Sequence, residues 1–203
     1  MGDSVFWSRA LTELTLSFHV IFATLGVGAP LIILIAQYIG YKKNDMHYTM
    51  MARRWARGFT ITVAVGVVTG TIIGLQLSLL WPSFMEMAGR VIALPLFMET
   101  FAFFFEAIFL GIYLYTWDRF QNPKHHMLLL IPVAIGASMS AIFITIVNAF
   151  MNAPRGFDLV GGELINIQPI LAMFTPAMPT KIGHVLTSSY MTVAFILAAI
   201  AAY

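Results

Sequence analysis

The chain has 203 residues, of which 60% are hydrophobic and only 10% are charged, and its mean hydropathy is +0.86. These values exclude an ordinary soluble domain and predict an integral membrane protein. The chain contains no cysteine, which excludes disulfides, iron–sulfur clusters and thiolate metal sites and leaves imidazole, thioether or carboxylate ligands for a redox cofactor.

Five apolar runs reach about the 20 residues that a helix needs to cross a bilayer. We place these spans at residues 14–40, 58–81, 91–117, 127–150 and 183–203. The loops after the first and third runs carry closely spaced Lys and Arg residues, so the positive-inside rule predicts that the N-terminus lies outside. This topology explains the net charge of +2 without nucleic-acid binding. The expected fold is an all-α polytopic transmembrane helix bundle of about five spans.

The first span contains the run LTLSFHVIFATLGVGAP, residues 14–30, with His19 near its middle. A buried imidazole needs a partner, because an unpaired polar group in hydrocarbon is costly. The same helical stripe continues through Ala23, Gly26 and Pro30. These small or flat residues would let a broad planar group lie close to the backbone below the ring.

The third span contains FMETFAFFFEAIF, in which Glu99 and Glu106 are seven residues apart. They share a helix face and lie about 10 Å apart along the axis. Ionised carboxylates at that depth are costly, so one interpretation is that both acids face a cavity and act in proton transfer. The other is that they are protonated and cross-link neighbouring helices. The residues themselves leave both interpretations open.

Three histidines lie outside the predicted spans, in loops that contain basic residues: His47, His125 and His126. We expect all three to be solvated rather than to bind a metal. The thirteen methionines are expected to be ordinary packing residues.

The fourth connection, at about 151–182, contains Gly161-Gly162 and four prolines. This composition predicts an ordered or semi-ordered external loop rather than a sixth spanning helix. The chain stops at Ala201-Ala202-Tyr203, in an apolar run without a polar flank, so we expect a fragment or one piece of a split protein.

His184 begins the fifth span, which enters the membrane from the same side as the first, and its stripe continues through Thr187 and Ser188. His19 and His184 are therefore expected at similar depth near one membrane face. Two such imidazoles, without Cys or a local carboxylate cluster, fit haem iron better than zinc. Each could instead be a packing histidine that is bonded to a backbone carbonyl or to Ser or Thr. From the residue type alone, this is the commoner case.

Five segments together resemble the N-terminal half of subunit I of the cytochrome bd-type quinol oxidases. They are SRALTELTLSFHVIFATLGVG, WARGFTITVAVGVVTGTIIGLQLSLLW, LPLFMETFAFFFEAIFLGIYLYTWDR, GASMSAIFITIVNAFMNAPRGF and KIGHVLTSSY. The resemblance covers essentially the whole chain, so residues 1–203 are interpreted as the N-terminal part of that transmembrane domain. Its order of His, paired Glu, VNAFMNAPRGF and GHVLTSSY is specific.

The resemblance implies a role in a terminal oxidase that reduces dioxygen to water with electrons from membrane quinol and takes protons from the cytoplasm without pumping them. It implies that His19 is the axial ligand of a high-spin haem and that His184 is one ligand of the low-spin haem b. It also implies that Glu99 and Glu106 deliver protons to the high-spin haems. Three further residues match polar or basic positions of the family, the last of them near haem propionates: Ser140, Asn148 and Arg9.

The implied cofactors are a low-spin haem b, a high-spin haem b, and either haem d or a second haem b, with quinol and dioxygen as substrates. The implied partners are subunit II, small accessory subunits and membrane lipid, in the cell membrane. Family members have about nine spans, and the distal half supplies further haem ligands and the quinol loop. The chain alone is therefore not expected to be a competent oxidase. Gly74 stands where better-known members often carry an acid.

Two other functions are open. One is a non-redox membrane transporter or proton-conducting protein in which Glu99 and Glu106 form a relay and the histidines pack or gate. The other is a structural assembly subunit that has kept the sequence without the haem.

Overall fold

A computed structural model describes residues 2–202 and is almost wholly helical. Its elements in chain order are α1 (Gly2–Lys43), α2 (Met46–Leu80), α3 (Pro82–Tyr115), α4 (Pro123–Leu128), α5 (Leu130–Asn152), β1 (Asp158–Val160), β2 (Glu163–Ile165), α6 (Pro169–Met173) and α7 (Met178–Ala202). In the described part of the chain, five helical segments are long and apolar enough to cross a membrane, and they contain α1, α2, α3, α4 with α5, and α7. The predicted number of spans is confirmed. The predicted last residue of the fifth span, Tyr203, lies outside the described residues.

Several helices extend well beyond the apolar runs that predicted them. Helix α1 starts at Gly2 rather than at residue 14, and α2 starts at Met46 rather than at residue 58. The predicted starts were too late because hydropathy marks only the part of a helix that would lie in hydrocarbon, whereas charged residues are compatible with helix on either side of it. The side chain of Asp45 caps α2 by accepting the His47 N–H at 2.9 Å.

The connection between α5 and α7 is an ordered loop, as predicted. Strands β1 and β2 pair antiparallel, with Val160 opposite Glu163. Gly161 and Gly162 form the turn with φ of +61° and +89°, a conformation that glycine adopts without strain. The Gln168 N–H then donates to the Gly156 carbonyl at 2.7 Å and joins the two ends of the hairpin segment. The short α6 follows.

The helices pack as two pairs, α1 with α2 and α3 with α5, and α7 lies against α1 and α5. Because five consecutive spans alternate in direction, α1, α3 and α7 all begin at one end of the bundle, which we call the N-terminal end. The main hydrophobic core lies toward the opposite end, around Ile33, Phe59, Tyr113, Leu130 and Val133. Elsewhere, many large apolar side chains are exposed along the helices, as expected for surfaces that face lipid or other polypeptide.

His126 is buried with an exposed fraction of 2%, so the prediction that it is solvated was wrong. Its Nε2–H donates to the Tyr113 carbonyl at 2.8 Å, and the Gln37 side-chain amide donates to its Nδ1 at 3.0 Å. The Tyr113 hydroxyl closes the network by donating to Gln37 Oε1 at 3.0 Å. The carbonyl lies in the last turn of α3, where helical partners run out, so His126 satisfies a group that would otherwise be unpaired. His47 and His125 are exposed, as expected.

Candidate functional site

His19 lies between α1 and α2 and is half-buried. Its Nδ1 is 2.8 Å from Thr69 Oγ1, and a Cβ placed on Gly70 would lie 3.2 Å from its Cε1. This hydrogen bond to a threonine is what we expect of a histidine that packs between two helices. The Gly66 backbone of α2 is a second hydrogen-bond partner of the ring. Within residues 2–202, no side chain forms a hydrogen bond with His19 Nε2. The imidazole is therefore held against α2 through Thr69 and Gly66.

Space is left open beside this imidazole by glycines. A Cβ built on Gly26 of α1 would meet no atom within 4 Å, and the same holds for Gly66 and Gly74 of α2. Gly66, Gly70 and Gly74 are four residues apart and so share one face of α2. A flat group could approach the backbone here without displacing a side chain.

A polar seam between α1 and α2 continues from His19 toward the N-terminal end of the bundle. Gln76 Nε2 donates to Thr15 Oγ1 at 2.9 Å, and the Trp81 indole donates to Thr12 Oγ1 at 3.1 Å. Gln76 is buried, and its Oε1 has no hydrogen-bond partner among residues 2–202. These residues were not predicted from the sequence. The available signal was the spacing of Thr12, Thr15 and His19, which places them on one helical stripe.

His184 lies in the second turn of α7 and is exposed. The depth of His184 in the bundle can be read from the contact between α7 and Gly28 of α1. A Cβ added to Gly28 would lie 2.6 Å from the Ser189 carbonyl and 2.5 Å from a Val193 methyl group, so Gly28 is level with this part of α7. An α-helix rises about 1.5 Å per residue. Measured from the level of Gly28 toward the N-terminal end of the bundle, His19 therefore lies about 14 Å away along α1 and His184 about 11 Å away along α7. The predicted similarity in depth agrees with this packing. No hydrogen bond joins the two imidazoles or holds His184 to another residue of the described chain.

Glu99 and Glu106 face α5 from the same side of α3. Ser140 Oγ donates to Glu99 Oε1 at 2.9 Å. Glu106 has an exposed fraction of 6% and packs against Gly136, where an added Cβ would lie 2.9 Å from Glu106 Cβ. Ser140 and Gly136 are one helical turn apart, so α5 presents one face to both acids. The structure therefore brings together Glu99, Glu106 and Ser140, three of the predicted site residues. Tyr113, seven residues beyond Glu106, continues the same face of α3.

An open apolar cavity of about 290 Å³ lies alongside these acids between α3 and α5. Phe97, Phe101 and Phe105 line it from α3, and Gly136, Met139 and Phe143 line it from α5. Neither Glu99 nor Glu106 lines this cavity. It is therefore not the cavity that we expected both acids to face. The reason is rotational: the phenylalanines occupy the outer side of the α3–α5 seam and the acids occupy the inner side.

Asn148 and Arg9 are not part of the acid cluster. Asn148 is exposed, and its Oδ1 accepts a hydrogen bond from Lys181 Nζ at 2.7 Å. This bond joins the end of α5 to the start of α7, three residues before His184. The role of Lys181 was not predicted from the sequence. Arg9 is exposed in the third turn of α1, at the N-terminal end of the bundle.

Within residues 2–202, no three His, Asp or Glu side chains are placed to hold a metal ion together. A site of the structural zinc kind, which needs four protein ligands, is therefore absent from the described chain. Haem has a different requirement, because the porphyrin supplies four nitrogens and the protein needs to supply only one or two axial ligands. His19 and His184, which lie apart from each other, suit that requirement.

Comparisons with known proteins agree over nearly the whole chain. A family model described as cytochrome bd terminal oxidase subunit I matches residues 7–203. The chain is 46% identical over 201 residues to a provisionally named cytochrome bd menaquinol oxidase subunit I of Bacillus subtilis (strain 168). This match covers 99% of the chain and 45% of the Bacillus protein. It is 30% identical over 208 residues to the cytochrome bd-II ubiquinol oxidase subunit 1 of Escherichia coli (strain K12), covering 100% of this chain and 40% of that protein.

A solved structure gives the same result. The bd oxidase from Geobacillus thermodenitrificans contains a chain that matches with a TM-score of 0.96 and 74% sequence identity. The match covers 98% of this chain and 46% of that one. The chain thus spans less than half the length of the relatives that it matches.

Proposed function

The chain belongs to the family of cytochrome bd terminal oxidase subunit I, and from this premise we propose that it is the N-terminal, haem-binding part of an oxidase that passes electrons from membrane quinol to dioxygen. Five apolar helices and the family make it a multi-pass protein of the cytoplasmic membrane. The observation that carries the proposal is the family match over residues 7–203. The relatives are named as menaquinol and ubiquinol oxidase subunits.

We propose that residues 1–203 supply one part of a transmembrane domain whose other haem ligands and quinol site come from a distal half. The chain covers only 45% of the Bacillus relative, which supports this division. Subunit II and small accessory subunits are the proposed partners. The proposed orientation places the N-terminal end of the bundle outside the cell, since the clustered basic residues lie at the opposite end.

His19 and His184 are the proposed axial ligands, of a high-spin haem and of the low-spin haem b respectively. The absence of a side-chain partner at His19 Nε2 within residues 2–202 and the open space along Gly26, Gly66 and Gly74 support the first assignment. The exposed position of His184 at similar depth supports the second. Arg9, ten residues before His19 and so almost three helical turns further toward the outside, is the proposed partner of haem propionates. When bound, the haems supply one-electron chemistry and the site where dioxygen is reduced, and the oxygen-site haem is either d or b.

Glu99 and Glu106 are the proposed proton carriers. They lie along one face of α3, where Glu106 is buried and Glu99 is partly buried, and Ser140 fixes the Glu99 carboxyl by donating to Oε1. A carboxyl held in this way can accept a proton and pass it along the face, with uptake from the cytoplasmic end. Asn148, through its bond to Lys181, sets the start of α7 and hence the position of His184.

A reduced-minus-oxidised absorption spectrum tests this proposal on the protein expressed with the rest of its complex in membranes. We expect bands of both low-spin and high-spin haem. A colourless complex would contradict the proposal and would favour either a proton-conducting transporter built on Glu99 and Glu106 or a structural subunit. Those two are separated by proton flux into vesicles, which only the transporter supports.

A further inference from the structure

We propose that Thr69 of α2 is a positioning residue for His19: its hydroxyl accepts the Nδ1–H of the imidazole, so that Nε2 is the atom presented to the iron. The inference rests on the proposed role of His19 as a haem ligand. It goes beyond that role because it names the ligating nitrogen and the side chain that selects it.

The contacts of the Thr69 hydroxyl favour one direction for this bond. Thr69 has one hydroxyl proton, and its Oγ1 lies 2.8 Å from the Val65 carbonyl and 3.1 Å from the Gly66 carbonyl. Carbonyls only accept, so the hydroxyl proton has acceptors within α2. With the proton directed at them, Oγ1 is left to accept from His19 Nδ1, 2.8 Å away. A neutral imidazole has a single N–H, so a proton on Nδ1 leaves a lone pair on Nε2.

The sterics of α2 support the same orientation. A Cβ on Gly70 would lie 3.2 Å from His19 Cε1 and 3.9 Å from each ring nitrogen, so the ring edge stands over the glycine with Cε1 directed at it. The ring can approach α2 this closely only because position 70 has no side chain. Thr69 itself is buried, with an exposed fraction of 7%. Its hydroxyl is therefore shielded from competing water and held by its own helix.

A donor bond from the non-ligating nitrogen of an axial histidine makes the ligating nitrogen more basic and fixes the ring orientation. A threonine hydroxyl that already donates to a carbonyl accepts moderately, less strongly than a carboxylate would. We therefore expect Thr69 to set a moderate strength of the bond between His19 and iron. Its removal should weaken that bond without abolishing ligation.

The test uses the complete assembled oxidase carrying Thr69→Val, which keeps the shape and removes the acceptor. Thr69→Ser keeps the hydroxyl and should restore wild-type behaviour. Thr71→Val is the matched control, because Thr71 makes the same bond to its own helix, to the Val67 carbonyl at 2.9 Å, but is exposed. The main readout is the iron–histidine stretching frequency of the reduced high-spin haem by resonance Raman spectroscopy. The second is retention of that haem during dilution.

We expect Thr69→Val to lower the stretching frequency and to weaken haem retention by about 10-fold, while Thr69→Ser, Thr71→Val and the low-spin haem remain at wild-type values. If Thr69→Val does not assemble, Thr69→Ala gives the same test, because it removes the same acceptor and adds no bulk. An unchanged frequency in the variant without the hydroxyl would overturn the inference. His19→Ala separates this outcome from failure of the proposed function: if it keeps the high-spin haem, the ligand assignment itself is wrong.

Discussion

Replacing Gly136 with alanine should move α3 away from α5 and disturb both acids at once. The new Cβ would lie 2.9 Å from Glu106 Cβ and 3.0 Å from both its Cα and its backbone nitrogen. Non-bonded carbons prefer about 3.5–4.0 Å, so the two helices must separate by roughly 0.5–1 Å. The obstructing atoms belong to backbone and Cβ and cannot rotate away. Overpacking of this kind costs about 1–3 kcal/mol.

The same displacement reaches the next turn of the seam. Ser140 lies four residues beyond Gly136, and its bond to Glu99 is 2.9 Å long. A separation of that size would lengthen the bond to about 3.5 Å or more, where it no longer counts as a hydrogen bond. We therefore expect Gly136→Ala to lower both the thermal stability of the complex and the rate of quinol-dependent oxygen uptake.

Thermal stability is measured by the loss of haem absorbance on heating, and turnover by oxygen uptake normalised to haem content. Gly111→Ala is the matched control, because it places a methyl group on α3 where nothing lies within 4 Å. Alanine has a higher helix propensity than glycine, so the stability of Gly111→Ala should equal that of the wild type or exceed it by up to about 1 kcal/mol. Equal stability and turnover in the two alanine variants would refute the close packing of Gly136 on Glu106 as the feature that holds the acids in place.

Glu99→Gln and Glu106→Gln should each reduce oxygen uptake per haem severely with smaller changes in the spectra, because an amide keeps the size but cannot carry the proton; wild-type rates in both would end the proton-transfer proposal. Moving the second acid by one position, as Glu106→Ala with Ala107→Glu, rotates the carboxyl by about 100° off the shared face and should be as harmful as its removal in the same assay. His126→Phe keeps a ring but leaves the Gln37 side-chain NH2 group and the Tyr113 carbonyl without their partner, so it should lower the free energy of unfolding by about 2 kcal/mol or more. Thermal unfolding measures this against the exposed control His125→Phe, and equal stability of the two would show that the buried network contributes nothing.

The five spans and the acid pair were predictable because each depends on a local property of the sequence. Long apolar runs must form helices in lipid, and two acids seven residues apart must share a helix face. Hydropathy could not give the start of α2 at Met46, because the charged residues from Arg53 to Arg57 are helical but outside the apolar run. The contact between Ser140 and Glu99 needed the pairing of α3 with α5, which no local pattern contains.

The least predictable features were polar residues buried by tertiary packing. His126 stands next to His125 and Lys124 in sequence, a setting typical of a solvated loop, yet the short α4 turns it inward onto Tyr113. Thr69 looks like the many threonines that bond to their own helix in apolar spans, and only the packing of α1 on α2 gives it His19 as a second partner. Such roles depend on which helices are neighbours, and a single sequence does not encode that directly.

Low-temperature absorption spectra of His19→Ala and His184→Ala, recorded on the assembled oxidase in its reduced and oxidised states, test the assignment of the two histidines most directly. His19→Ala should lose or strongly perturb the high-spin bands and keep the low-spin haem, whereas His184→Ala should lose the low-spin bands and still insert into the membrane. These outcomes are expected because the two imidazoles lie on different helices, α1 and α7, with no hydrogen bond between them in the described chain. An unchanged low-spin spectrum in His184→Ala, or unchanged high-spin bands in His19→Ala, would contradict the assignment.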